Sequence, residues 1–550
     1  MNSLPYSKAL RNPILAMLLI CCSLSACIRP VSTNHKQKPQ PSPNIIFLLT
    51  DDHRWDELGI HEHPVLKTPN LDQLAKEGIY FENAYVGSAI CTPSRASIFL
   101  GQYERKHGIN FNSGTSMSPE AWAKSYPSLL KEADYFLGYI GKNHVPIGPK
   151  GYADTLMAST FDYWYAGHGH LSFYPKKRHK IFKNSQYDTQ IEVIGEGVEN
   201  FFDPQKEFIS GTQDFFKKLP ENKAFCLSIA FNLPHGAGAS TMQQLPTDPP
   251  LYRNAYREDS INFSPLYVSK DSIKQPKLPS EILHAQHRQI SYSYVDTRKE
   301  LKERKIRRYQ TITGIDRLLG KIRKILEEKG LAENTVLVFT SDHGIMEGEW
   351  GLGGKALNYE ACLKVPFMVY DPNLPTSSRG IREKGFVQSL DIAPSILSWA
   401  GLEIPSSMQG LPLQRLMQGE ASDWRTVVFG ENLWSNWFGN PRIESVREGN
   451  WKYIRYFRNE NGIPPKGKAA YAMTEDRAAL YQAHRTASIE GEEPIYEELF
   501  DLEADPFEND NLADIELYKA KLERMRILCK EMLLEAKGAG EPAVLSYIKR

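Results

Sequence analysis

Asn44-Ile-Ile-Phe-Leu-Leu-Thr50 is an unbroken apolar run that ends abruptly in Asp51-Asp52. It shows no polar–apolar alternation, so it reads as a strand buried on both faces rather than one with a wet side. Three further stretches repeat the design. Val336 to Thr340 runs into Ser341, Asp342, His343 and Gly344, and Ala224 to Phe231 ends near Pro234-His235. Tyr135 to Ile140, the weakest, stops at Gly141-Lys142-Asn143-His144, and Pro366 to Tyr370 is another candidate core strand.

Helical patterns separate these runs. Asn70 to Lys76 carries an Asn cap and apolar spacing closed by Gly78. Residues 301 to 329 place Ile306, Tyr309, Ile312, Leu319, Ile322 and Leu326 at near-helical intervals before the stop at Gly330. Buried strands alternating with helices predict an α/β sheet covered by helices on both faces. In such sheets ligands bind outside the carboxyl ends of the strands, which is where the polar clusters named above fall. Beyond about residue 405 the texture changes. Trp424 to Phe429, Ile443 to Val446 and Trp451 to Phe457 read as short strands, and a helix follows over roughly Ala513 to Ala536. The expected layout is a catalytic domain over 44–405 and a smaller α+β domain over 406–550 packed against it.

With 550 residues, two domains are the default. Lys+Arg and Asp+Glu both number 66, for a formal net charge of zero. That argues against nucleic acid as a partner and leaves anion recognition to local clusters. No apolar run is long enough to span a bilayer. Lys8 and Arg11 precede an apolar stretch from Ile14 to Leu24, so residues 1–26 read as a secretory signal. Its Leu24-Ser-Ala-Cys27 ending resembles a bacterial lipobox, which implies lipidation of Cys27. Residues 27–43 then serve as a polar, proline-bearing tether, and the lipid anchor places the protein at the membrane surface of a bacterial cell envelope. Cys21 and Cys22 leave with the signal. Cys226, Cys362 and Cys529 permit at most one disulfide among them, so no disulfide framework holds the fold.

Cys91-Thr-Pro-Ser-Arg95 joins a thiol, a rigid turn, a hydroxyl and a fixed cation in front of a helix expected from Ala96 to Gln102. A helix N-terminus adds positive potential, and the combination suits an anionic substrate and an activated nucleophile. Asp51, Asp52 and Asp342 bring three carboxylates from two strand ends. Gathered alone they raise one another's pKa. A hard divalent cation removes that repulsion, and oxygen donors favour calcium or magnesium over zinc. His343 departs from a pure oxygen set.

Taken in order, these motifs resemble those of the type I, formylglycine-dependent sulfatases of the alkaline phosphatase superfamily, including bacterial polysaccharide sulfatases. The likeness runs from about Pro43 to Leu512. It takes in Asp51-Asp52, Thr68-Pro-Asn-Leu-Asp72, Cys91 to Arg95, Gly141-Lys142 with His144, Pro234-His235, Ser341 to Gly344 and Gly354-Lys355. The late Glu498-Leu-Phe-Asp-Leu502 with Asp505-Pro506 belongs to it too. The resemblance implies an alkaline-phosphatase-like fold, a mixed, largely parallel sheet sandwiched by helices. It implies that a maturation enzyme converts Cys91 to formylglycine (3-oxoalanine). One Ca2+ is then held by Asp51, Asp52, Asp342, His343 and the side-chain oxygen at position 91. The Asp-His pair matches one branch of the family, where many members have Asp-Asn. By the same resemblance Arg95 steadies the hydrated aldehyde, Lys142, His235 and Lys355 grip the sulfate oxygens, and His144 handles a proton. One hydroxyl of the hydrate attacks sulfur and displaces the substrate alcohol; the second expels sulfate and restores the aldehyde. A general acid at the leaving oxygen, His144 or His235, is worth about 10²–10⁴ in rate.

Substrate choice is expected in loops. Candidates are the 161–180 segment, with Trp164, Tyr165, His168, His170, Tyr174, Lys176, Lys177 and Arg178, the stretch from Gly236 to Glu300, and Trp434 with Trp437. The expected partner is a sulfated carbohydrate, with an algal polymer such as ulvan first and carrageenan, fucan or glycosaminoglycan open. Two rival readings stand beside this one. A phosphatase or phosphodiesterase of the same superfamily would normally carry Ser or Thr at position 91 and two zinc ions. A surface glycan-binding lipoprotein with a dead site would keep Cys91 unconverted.

Overall fold

The computed structural model describes residues 42–111, 113–167, 211–235, 253–283, 292–420, 422–434, 441–458 and 474–546. Cys27 and most of the tether lie outside them, as do His168, His170, Tyr174, Lys176, Lys177, Arg178 and Trp437. Residues Pro41–Arg550 form one compact unit.

The opening apolar run is strand β1 (Asn44–Asp51), buried along its whole length. It lies inside an eight-stranded sheet with β2 (Ile79–Phe81), β3 (Phe136–Lys142), β4 (Tyr163–Gly167), β5 (Phe225–Pro234), β6 (Thr335–Ser341), β7 (Phe367–Tyr370) and β8 (Ile381–Glu383). The order across the sheet is β8-β2-β7-β6-β1-β5-β3-β4. Pairing is parallel except at β7, which runs antiparallel to both neighbours. The predicted mixed, largely parallel sheet is therefore what forms. The weakest sequence signal, at 135–140, becomes a full strand that includes Gly141 and Lys142.

Each face of β1 feeds a different core. Ile46 and Leu48 join Leu71 and Leu74 of α1 (Pro69–Glu77) and Ile315, Leu319 and Ile322 of the long helix α3 (Arg298–Glu328), while Ile45, Phe47 and Leu49 face Ala96, Ile98 and Phe99 of α2 (Cys91–Leu100) and Ile392 and Ile396 of α4 (Ile392–Trp399). This two-sided burial is the physical content of the unbroken apolar run. Helix α1 starts two residues earlier than the Asn70 cap suggested: Thr68 is its N-cap, and Pro69 takes the first turn, where a missing N–H costs nothing. Helix α2 likewise starts at Cys91, not at Ala96.

The C-terminal sheet contains β9 (Val427–Asn432), β10 (Arg442–Glu448), β11 (Trp451–Phe457) and β12 (Tyr496–Asp501), all antiparallel. Phe429, Val446, Tyr453 and Leu499 pack under Met525, Cys529 and Leu533 of helix α5 (Lys519–Lys537), and Val428, Ile443, Ile454, Tyr456 and Phe500 join the main core. The expected α+β composition is present, with β12 as the strand that periodicity missed. Cys226, Cys362 and Cys529 are free and buried. No helix among the described residues is long and apolar enough to cross a membrane.

At Gly141 the backbone sits at φ +99, and a Cβ there would lie 2.1 Å from the Ala230 carbonyl oxygen of the adjacent strand. Gly141→Ala is expected to cost at least about 3 kcal/mol in a denaturant melt. Gly330→Ala, at φ +67 in open space, is expected to cost only about 1 kcal/mol.

Glu104 joins the two sheets' surroundings, accepting hydrogen bonds from Ser88 Oγ (2.8 Å) and Tyr481 Oη (3.1 Å). Burial, then the neighbouring Glu431, raises its pKa from 4.5 to about 8. A raised carboxyl stabilises the fold fully below its unfolded pKa and loses that contribution as pH rises through about 8. Glu104→Gln should flatten the fall in melting temperature between those two values.

Candidate active site

Strands β6, β1, β5 and β3 are consecutive neighbours, so their carboxyl ends put Asp342, Asp51-Asp52, His235 and Lys142 around one point. Asp51 is the last residue of β1, and Asp52 turns away from it in the left-handed region at φ +61, which Asp tolerates better than most side chains. Arg308 of α3 fixes that turn by donating to the Asp52 carbonyl at 2.8 Å.

Arg95, one turn into α2, binds the cluster together. Its Nε donates to Asp342 Oδ2 at 2.8 Å, Nη2 to Asp51 Oδ2 at 2.9 Å and Nη1 to the Lys142 carbonyl at 2.9 Å. Ser94 Oγ donates to the Asp342 carbonyl, and Thr92 Oγ1 to the His144 carbonyl. The pentapeptide is thus laced to three strand ends. Lys142 Nζ pairs with Asp51, and Lys355 Nζ with Asp52 Oδ1 at 2.9 Å.

Cys91 lies at the centre, 2% exposed. Its Sγ is 3.0 Å from Lys355 Nζ, 3.3 Å from His343 Nε2 and 3.9 Å from Asp51 Oδ1. Burial and Asp51 push the thiol pKa up, but Lys142, Lys355 and His343 outweigh them and hold it below its ordinary value. Burial also pushes Asp51 up, yet Lys142, His235 and the other cations keep it well below the usual carboxylate range. Burial opposes charge on His343 as well, and Asp342 overrides it, raising the imidazole to about 9.

The donor atoms of Asp51, Cys91, Asp342 and His343 lie within 4.8 Å of one another, as do those of Asp51, Asp52 and His235. Asp52 Oδ2 is buried with no hydrogen-bond partner among the described residues. A lone pair left open beside two further carboxylates fits a hard divalent cation. Three carboxylates face Arg95, Lys142 and Lys355, so a dication that takes His343 as a neutral ligand leaves an uncompensated double positive charge suited to an anion.

His235 Nε2 stands 3.7 Å from Asp52 Oδ2, with its side chain 16% exposed. The His144 ring is flanked by Phe111, edge-on at 5.5 Å, and Tyr152, stacked at 6.2 Å. Every residue singled out in the core of the site converges; His144 joins through its backbone bond to Thr92. Two of the aromatics named as candidate sugar contacts are engaged in packing. The half-buried Trp164 stacks on Tyr139, and Trp434 is buried against Tyr481. Arg308 escaped sequence reading because a basic helix stretch looks solvated. The signal was its place on the same helix face as Leu301, Ile312 and Ile315.

Lys355 owes its position to the C-terminal sheet. Asn358 Nδ2 donates to the Gly430 carbonyl at 3.0 Å and to Ser445 Oγ at 2.8 Å. Tyr359 Oη donates to Glu498 Oε2 at 2.9 Å, which explains the late Glu498 motif.

Residues 43–402 match the sulfatase family model. The chain belongs to the sulfatase family. It is accordingly a sulfuric ester hydrolase, in a family that uses formylglycine and a divalent metal. Residues 348–465 match the model of the N-sulphoglucosamine sulphohydrolase C-terminal region. An arylsulfatase of Clostridium perfringens is 29% identical over 519 residues, covering 89% of this sulfatase and 94% of the relative. An N-acetylglucosamine-6-O-sulfatase of Bacteroides thetaiotaomicron is 26% identical, covering 76% and 78%. An ulvan-active sulfatase of Formosa agariphila is 25% identical, covering 96% and 87%. Among solved structures, the phosphonate monoester hydrolase of Agrobacterium radiobacter superposes with a TM-score of 0.64 at 18% identity, covering 90% of this chain and 96% of the other. That likeness speaks to the fold alone.

Arg95→Met leaves Asp51 and Asp342 without their shared partner. Breaking such a buried pair is expected to destabilise the sulfatase by about 3–5 kcal/mol in urea.

Proposed function

We propose that this sulfatase removes sulfate from a sulfated polysaccharide or its oligosaccharides outside the cytoplasm, with formylglycine at position 91 and one Ca2+. The observation that carries the reading is the place of Cys91: first residue of α2, in contact with Lys355 and His343 and ringed by the strand-end carboxylates. The similarity to relatives named for N-acetylglucosamine 6-O-sulfate and for ulvan supports a glycan. An ulvan-like algal polymer is the substrate favoured.

When present, the converted residue supplies two hydroxyls on one carbon, and the calcium held by Asp51, Asp52, Asp342 and His343 supplies Lewis acidity. The remaining work falls to side chains. Arg95 holds Asp51 and Asp342 through one oxygen of each, leaving their other oxygens toward Cys91 and His343. Lys142 and Lys355, held rigid by burial, stabilise charge on the transferring group without reorganising. His235 borders the sulfate at the Asp52 side, and His144, pinned between Phe111 and Tyr152, gives a proton to the leaving oxygen. Lipid on Cys27 holds the enzyme at the bacterial envelope.

Peptide mass analysis across residue 91, after expression with a formylglycine-generating enzyme, should find the aldehyde, and Cys91→Ala should reduce sulfate release to background. Unmodified cysteine in fully active protein would refute the reading. Calcium at a hundredfold its Kd should stabilise the protein by about 2.7 kcal/mol. Chelation should reverse this, and Asp52→Asn should abolish the response.

A further inference from the structure

Four basic residues of α3, Arg304, Lys305, Arg307 and Arg308, are buried beside the active site. Three have carboxylate partners: Lys305 pairs with Glu347, Arg307 with Glu303, and Arg308 with Glu57 and Glu347. Arg304 has none. It is 6% exposed, its Nε lacks a hydrogen-bond partner, and no carboxylate among the described residues pairs with it. Its guanidinium lies over the face of Tyr294, 3.4 Å from the ring centroid. A buried Nε–H with no acceptor is a standing cost, and burial lowers the pKa of the guanidinium.

Its position gives that cost a purpose. Arg304 precedes Arg308 by one helical turn, about 5.4 Å, on the same face of α3. Arg308 touches the Asp52 carbonyl. Tyr294, beneath the guanidinium, is fixed by its hydroxyl to the Met346 carbonyl at 3.2 Å, and its ring meets Tyr292 edge-on at 6.0 Å. Tyr292 in turn packs on Gly353, two residues before Lys355. The path from the sulfate-gripping lysine to Arg304 is therefore Tyr292, Tyr294 and the guanidinium.

We infer that Arg304 is a specificity residue that binds a second anionic oxygen group of the substrate, beside the sulfate being removed. This rests on the sulfated-glycan reading and narrows it to polyanionic glycans. A planar guanidinium backed by an aromatic ring takes a carboxylate or sulfate through two parallel bonds. A uronate carboxylate or a second sulfate ester offers that chemistry.

The test compares matured wild type with Arg304→Met on four substrates. These are a uronate-containing sulfated oligosaccharide, the same oligosaccharide with its carboxylates reduced to alcohols, a disulfated uronate-free oligosaccharide, and a simple aryl sulfate as reference. Arg304→Met should lower kcat/KM for an anionic oligosaccharide relative to the aryl sulfate by about 10–100-fold, the loss falling on KM. If the loss disappears on carboxyl reduction, the anion is the uronate; if it appears with the disulfated sugar, it is a sulfate. Equal losses on glycan and aryl sulfate, or no change in KM for either anionic glycan, overturn the subsite. A wild type that cleaves no sulfate ester defeats the broader reading, and calorimetric binding of the same oligosaccharides to wild type and variant then decides the subsite by itself. Arg304→Met should melt at or above the wild-type temperature, because it removes an unpaired buried charge. A variant that fails to fold, or melts lower, makes Arg304 structural and overturns the inference.

Discussion

The arrangement depends on one buried guanidinium. Arg95 takes an oxygen from Asp51 and another from Asp342, carboxylates that arrive from opposite ends of the catalytic region. All three groups are almost wholly out of water, where unpaired charge is prohibitive and a well-formed pair roughly offsets its own desolvation. The gain is geometric more than energetic. Each carboxylate is clamped through one oxygen, so the other is aimed at residue 91 and its surroundings.

That clamp forms because of strand order. β6, β1 and β5 are adjacent and parallel, so their final residues emerge side by side, and α2 crosses them with Cys91 at its first position. The C-terminal sheet has a quieter role: by binding Asn358 and Tyr359 it holds the segment that delivers Lys355. A domain with no residue in the central cluster thereby governs one of its cations.

The fold alone does not select the chemistry. A phosphonate monoester hydrolase superposes over nearly the whole chain. What this chain sets on that fold is a thiol at position 91 at the head of a helix, and a charge balance that a single dication tips toward an anion. Arg304 extends the same logic outward, as a cation with no paired carboxylate among the described residues.

Much of this was legible in the residues themselves. Continuous apolar runs announce strands buried on both faces, and the polar residues at their ends announce a site, because backbone direction alone carries them there. Asp51, Asp52, Lys142, His235 and Asp342 follow from that rule, and the pentapeptide marks residue 91. Composition and periodicity do not encode which strands become neighbours. Nor do they show that Arg95 joins two aspartates, that Trp164 stacks on Tyr139 and Trp434 is buried against Tyr481, or that Arg308 and Arg304 face inward from a helix that reads as solvated. Those are facts of long-range pairing: a buried charge is tolerated only where partners or ligands from distant segments meet it, and only the folded chain brings those segments together.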